Sequence, residues 1–163
     1  MTGKAWKFGD NISTDEITPG RYMGLRSNLV ELAKHTLEDA RKEFPGSVRP
    51  GDFVVAGRNF GMGSSREHAP LVIKMCGVSA VLAQSFARIF YRNAINIGFP
   101  AIVCDTTKID EDDKLELHLS ESVVENLTKG TRISFPAMSR TMETILTEGG
   151  LIAYVEKYGD LAF

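Results

Sequence analysis

Cysteine is scarce: Cys76 and Cys104 are the only two in 163 residues. An iron–sulfur cluster takes three or four thiolates. Neither Cys-x-x-Cys nor His-Glu-x-x-His occurs among these cysteines and His35, His68 and His118, so no metal site is expected on this chain. Each cysteine follows an apolar run, the usual setting of a small buried thiol. Long hydrophobic runs are missing too. None approaches the roughly 18 to 20 residues that cross a bilayer, and Met1 to Phe8 lack the apolar stretch of a secretory signal. The expectation is a soluble, cytoplasmic protein, in which Asn11-Ile-Ser13 and Asn126-Leu-Thr128 match the glycosylation acceptor by chance. Positive charge is not in excess either, with 19 Lys+Arg against 21 Asp+Glu and a net charge of −2. The basic residues are scattered, so no stripe follows a phosphate backbone or a lipid surface, and neither nucleic acid nor membrane is an expected partner.

What is present reads as one compact domain, residues 1–163, at 43% hydrophobic and 25% charged with no repeat or linker. Lys4 to Phe8 fits a short strand. Gly9 to Gly20 is crowded with turn formers and reads as a loop. From Asn28 to Phe44 a helical stripe runs through Leu29, Leu32, Ala33, Leu37 and Ala40, ended by Pro45-Gly46. Then strand-length apolar runs alternate with helical segments: Phe53 to Ala56, a helix over Glu67 to Cys76, Ala80 to Ala83, a helix over Phe86 to Ile97 stopped by Gly98, and Ala101 to Cys104. Parallel pairing with helical crossovers follows. Lys114 to Leu119 and Val123 to Leu127 read as an antiparallel pair, and Ser139 to Leu146 as a helix before Gly149-Gly150. The fold class is a layered α/β domain whose mixed sheet has a parallel core and flanking helices. Asp105 to Glu116 is acidic but lacks the central glycine and alternating ligands of a calcium loop, so it is a solvated turn.

The segment Gly57 to His68 carries chemistry. Gly61 and Gly63 allow backbone conformations that turn successive N–H groups into one concavity, an anion nest. A helix expected to start near Ser65 adds its positive end, and Arg66 brings a guanidinium able to grip a carboxylate. A nucleotide P-loop is ruled out, because Ser64 follows Gly63 where a lysine is needed. A purely structural role competes: Ser64-Ser-Arg-Glu67 has the spacing of a capping box, and spacing alone favours it.

The run Asn59-Phe-Gly-Met-Gly-Ser-Ser-Arg-Glu-His-Ala69 resembles the active-site loop of the aconitase swivel domain. Gln84 to Gly98 and Phe8 to Tyr22 resemble segments of isopropylmalate dehydratase and homoaconitase small subunits, so the resemblance covers nearly the whole chain. It implies a β/β/α swivel domain of the aconitase C-terminal type and a hydro-lyase active only with a large subunit. That partner holds the [4Fe–4S] cluster on three cysteines, which accounts for the shortage here. The resemblance further implies that Ser64 removes the substrate's carbon-bound proton, that Ser65 and Arg66 hold a carboxylate, and that Asp15 supports the site. A serine hydroxyl ionises far above neutral pH, so positive potential must stabilise it.

Specificity is implied to sit just after Tyr22, in Met23-Gly24-Leu25-Arg26. Met23 and Leu25 suit an isopropyl group, Gly24 fits neither subfamily's pattern, and Arg26 suits the extra carboxylate of homoaconitate. Isopropylmalate is the favoured substrate, with homoaconitate or mixed specificity as the alternative. Outside that class stands a non-catalytic carboxylate-binding module. The polar side of the Phe86 to Ile97 helix is expected to face the large subunit, and self-association stays open.

Overall fold

The structure, a computed structural model, describes residues 1–160. Its axis is strand β1 (Thr2–Lys7), which serves two partners at once. The second half, Ala5 to Lys7, pairs in parallel with β2 (Phe53–Val55), while Thr2 to Lys4 pair antiparallel with β5 (Lys114–His118). Beyond β2 lie β3 (Ala80–Ala83) and β4 (Ala101–Val103), all parallel; beyond β5 lie β6 (Val123–Asn126) and β7 (Thr131–Ser134), all antiparallel. The order is β4-β3-β2-β1-β5-β6-β7.

Strand alternation sorts the parallel half into two buried faces. Val54, Val81 and Ala83 join Trp6, Phe8, Phe44, Phe60, Val72 and Phe90 under the helices. Phe53, Val55, Ala80, Leu82 and Ile102 instead share a cluster with Leu115, Leu117, Val124 and Ile133. The antiparallel half therefore covers the back of the parallel half, giving the β/β/α layering expected. Parallel strands buried on both faces are continuously apolar, which is why these short runs were readable.

Helices α1 (Thr14–Ile17), α2 (Leu29–Ala33), α3 (Phe44–Ser47), α4 (His68–Met75) and α5 (Arg88–Asn96) accompany the parallel half; α6 (Arg140–Glu148) and α7 (Leu151–Tyr158) follow β7. The single helix expected over Asn28 to Phe44 is broken. Only Leu29–Ala33 is α-helical; Leu37 adopts φ +58° and its N–H reaches the Ile17 carbonyl at 3.1 Å. Leu32, Leu37 and Phe44 are nonetheless all buried, so tertiary packing keeps the apolar stripe and overrides the helical period. Pro45 sits in the first turn of α3 instead of ending a helix. The Gly9 to Gly20 loop contains α1, and a 3-10 turn follows over Gly20–Leu25.

Among the described residues, no helix is long and apolar enough to cross a membrane. Both thiols are reduced: Cys76 sits against the Ala33 carbonyl in the helix-side core, and Cys104 is buried on the opposite face. Burial pushes both thiols up, Cys104 to about 12, so neither is poised as a thiolate ligand.

Candidate active site

The loop after β2 is clamped on both sides before it reaches its serines. On one side the Gly61 N–H donates to the Ile12 carbonyl at 2.8 Å, and the Thr14 N–H to the Met62 carbonyl at 2.8 Å. On the other the Phe60 N–H donates to the Ser85 carbonyl at 3.0 Å, and the Ala87 N–H to the Phe60 carbonyl at 2.9 Å. Both flanking segments thus hold the loop by main-chain bonds, which are insensitive to side-chain rotation.

Gly61 has φ +82°, and a Cβ there would stand 2.3 Å from Phe90 Cγ. Its own N–H is spent on Ile12, so its part in the expected nest is close approach to α5 and not anion contact. Gly63, at φ +102°, has more room, since its Cβ would meet Thr14 Oγ1 at 3.4 Å. The N–H groups of Gly63, Ser64 and Ser65 donate to no backbone carbonyl among the described residues, and these three residues are exposed. Gly61→Ala combines overpacking against Phe90 with a left-handed φ, so we expect it to cost about 2–4 kcal/mol, read as a lower denaturation midpoint with unchanged m-value.

The capping role that spacing favoured for Ser64 is not realised. Helix α4 begins at His68, one residue after the expected Glu67 and three after the Ser65 start that a Ser64 cap needs, and its cap position, Glu67, has helical dihedrals and makes no side-chain cap bond. The capping box lies elsewhere: Ser13 Oγ accepts from the Glu16 N–H at 3.1 Å and Glu16 Oε2 accepts from the Ser13 N–H at 2.8 Å. Ser64 Oγ has only Thr14 Oγ1 nearby, at 3.4 Å, and the Thr14 hydroxyl donates to the Ser64 carbonyl at 2.9 Å. The loop is therefore fixed through its backbone while the Ser64 hydroxyl has no structural duty.

Arg66 is three-quarters buried and organises the facing segment. Its Nη1 donates to Asp15 Oδ1 at 2.9 Å and to the Thr18 and Thr14 carbonyls, leaving Nη2 and Nε without a hydrogen bond among the described residues. Asp15 Oδ1 also accepts from the Gly20 N–H at 3.0 Å, so one carboxylate ties the arginine to the 3-10 turn. A cavity of about 320 Å³ opens here, walled by Thr14, Gly63, Ser64, Ser65, Arg66 and the first turn of α5 from Ala87 to Phe90.

The structure thus brings Ser64, Ser65, Arg66, Gly61 and Gly63 together, with Asp15 touching them through Arg66. It does not bring Met23, Gly24, Leu25 or Arg26 to the cavity wall. Leu25 packs on the helix-side core, and Gly24 and Arg26 are exposed. Their turn is secured from outside: Tyr22 stacks on His35 at 3.7 Å, and Arg21 ion-pairs with Glu38 and Asp39 at 2.7 Å. Burial opposes ionisation of Glu38, yet hydrogen bonds from His35, Tyr22 and Arg21 prevail and hold its carboxyl below the usual range. Thr14 and the first turn of α5, Ala87 to Phe90, are the cavity residues that sequence reasoning missed. The signal for Thr14 was the Ser13-Thr-Asp-Glu16 capping pattern inside what reads as a loop.

Known proteins agree with this architecture. A family model described as the aconitase C-terminal domain matches residues 10–106. The chain is 62% identical over 161 residues to a protein named 3-isopropylmalate dehydratase small subunit 2 from Archaeoglobus fulgidus, covering 99% of this chain and 98% of that one. It is 54% identical over 160 residues to small subunit 1 from Thermotoga maritima, covering 98% and 96%. The crystal structure of 3-isopropylmalate dehydratase (leuD) from Methanocaldococcus jannaschii superimposes with a TM-score of 0.92 at 43% identity, covering 97% of this chain and 94% of that one. With the fold, the loop and near full-length identity in accord, the chain belongs to the 3-isopropylmalate dehydratase small-subunit family, within the aconitase C-terminal domain group.

Proposed function

We propose that this chain, joined in the cytoplasm to a large subunit bearing a [4Fe–4S] cluster, interconverts 2-isopropylmalate and 3-isopropylmalate in leucine biosynthesis. The observation that carries the reading is the Ser64 hydroxyl, engaged only by a long 3.4 Å contact with Thr14 Oγ1 among the described residues and held by main-chain clamps at a cavity that also receives Ser65 and Arg66. The chain's own donors do not fit a cluster, because Cys76 is partly buried against one core and Cys104 is buried in the other, on opposite faces of the sheet. We assign the cluster to the partner, where it would supply Lewis acidity to the departing hydroxyl.

On this chain, Ser64 Oγ takes the proton from the substrate carbon beside a carboxylate. Charge then builds on that carboxylate, and Arg66, with the Ser65 hydroxyl, holds it in place. The free N–H groups of Gly63, Ser64 and Ser65 raise the local positive potential, favouring the deprotonated serine. Rehydration adds water with the opposite orientation: Ser64 delivers a proton to the carbon that lost the hydroxyl while hydroxide adds at the carbon that lost the proton, so the net change is an isomerisation. Arg66 cannot swing freely, since Asp15 and two carbonyls fix it, and that rigidity supplies the orientation the step needs.

The test is reconstitution with the cluster-bearing subunit and a panel of hydroxy-diacids and hydroxy-triacids. Isopropylmalate should show the highest kcat/KM, the isolated chain should show no turnover, and Arg26→Ala should leave isopropylmalate within about 3-fold while reducing any homoaconitate turnover. Turnover by the isolated chain, or preference for triacids, contradicts the reading.

A further inference from the structure

On the outer face of the antiparallel half, remote in the fold from the Ser64 loop, three potential ligands converge. Leu115 and Leu117 point into the core, so the alternating residues of β5, Glu116 and His118, lie on the opposite face. Glu125 of β6 is the direct cross-strand partner of Glu116, which puts it on that same face. His118 Nε2 is 3.8 Å from Glu116 Oε2 and 3.9 Å from Glu125 Oε1. One donor atom from each of the three lies within 4.8 Å of the others.

Two features of this group call for a cation. Two carboxylates directly opposite across a ladder repel each other, and of the two only Glu125 has an arginine near it, Arg132 at 3.7 Å and itself shared with Glu121. In addition, His118 Nε2 is buried and has no hydrogen-bond partner, the sole such side-chain atom among the described residues. Both carboxylates are too distant for a hydrogen bond to it. The spacing suits a shared ion better. With metal–ligand bonds of about 2.0–2.2 Å, tetrahedral or trigonal ligands stand about 3.3–3.7 Å apart, within a few tenths of an ångström of the two His118–carboxylate distances; the three donor atoms lie within 4.8 Å of one another, so binding draws the two carboxylates together. One imidazole and two carboxylates form a borderline donor set that favours zinc over magnesium or calcium.

We propose that Glu116, His118 and Glu125 form a divalent-metal site of the zinc class that staples β5 to β6. None of its three residues lines the Ser64 cavity. A fourth position stays open to water, which makes it a surface site of moderate affinity.

The chain, freed of metal by chelator, is titrated with Zn²⁺ at pH 7.5 against a chromophoric competitor, with Tm followed in parallel. One equivalent should bind, and free Zn²⁺ a hundredfold above Kd should raise Tm by about 5–10 °C. His118→Gln should abolish that equivalent, and Glu116→Gln and Glu125→Gln should each weaken it at least about 10-fold, so the result does not hang on one variant folding. Magnesium at the same concentrations should produce neither effect. Absence of a stoichiometric equivalent in the parent chain, as a plain His118–carboxylate ion pair would give, overturns the proposal. So does Zn²⁺ binding that persists unchanged in His118→Gln.

Discussion

Ser64→Ala in the reconstituted two-subunit enzyme is expected to lower kcat by about 10²- to 10⁴-fold, the range for loss of a positioned general base, with little change in KM. Stability should hardly move. A serine that capped α4 would cost about 1 kcal/mol on truncation, but α4 starts at His68 and takes no side-chain cap. Ser64 is exposed, and its carbonyl, which alanine retains, is the group that Thr14 anchors. The variant therefore separates chemistry from folding: a midpoint within about 0.5 kcal/mol of the parent alongside a collapsed kcat. Ser13→Ala should show the converse pattern, because Ser13 holds the capping box that builds α1.

Arg66→Lys is expected to reduce kcat/KM by about 10- to 100-fold, mainly through KM. The magnitude follows from losing one charge-assisted hydrogen bond of about 1.5–3 kcal/mol. The guanidinium divides its work: Nη1 serves Asp15 and the Thr14 and Thr18 carbonyls, while Nη2 and Nε remain for a carboxylate. A lysine ammonium is a point donor and cannot span both sets. Asp15→Asn tests the same arrangement from the other side. It preserves the acceptor oxygen for the Gly20 N–H but removes the charge facing Arg66, so KM should rise less than in Arg66→Lys. Steady-state kinetics with a tight titration of subunit stoichiometry distinguishes both from impaired assembly.

Much of the fold was legible because the parallel strands are buried on both faces, except at Val103 on the edge. Phe53–Val55, Ala80–Ala83 and Ala101–Val103 read as unbroken apolar runs bounded by turns. β7 was not legible: of its four residues only Ile133 is buried, and an edge strand with one inward side chain carries too weak a period. Helix α7 was missed for a related reason, since Tyr154 is its one buried residue and Ile152 is largely exposed. The broken 28–44 helix has a different cause. Its apolar stripe was read correctly, but the left-handed turn at Leu37 depends on a bond to Ile17 that lies twenty residues upstream.

The site was half legible. Gly61, Gly63, Ser64, Ser65 and Arg66 stand in one glycine-rich run, so their proximity is written in sequence order. What the local pattern hid was which serine caps a helix. Ser64-Ser-Arg-Glu67 and Ser13-Thr-Asp-Glu16 have identical spacing, and only the second forms the box, because the chain beyond Ser65 turns once more before α4 begins. The walls contributed by Thr14 and Arg88 arrive through long-range clamps, the 12–14 and 85–87 segments closing on the loop from either side. The Ser13 to Glu16 capping pattern marks a helix start at Thr14, but no local signal says that it meets the loop.

The most direct measurement is incorporation of solvent deuterium at the carbon to which Ser64 delivers a proton on rehydration, followed by NMR of substrate incubated with the reconstituted enzyme in deuterium oxide. The parent enzyme should label that position during turnover, and the Ser64→Ala complex, with its partner's cluster intact by absorbance, should label it at least about 10²-fold more slowly. Labelling by the alanine variant at the parental rate would show that another group moves the proton, and the assignment of Ser64 as base would fail.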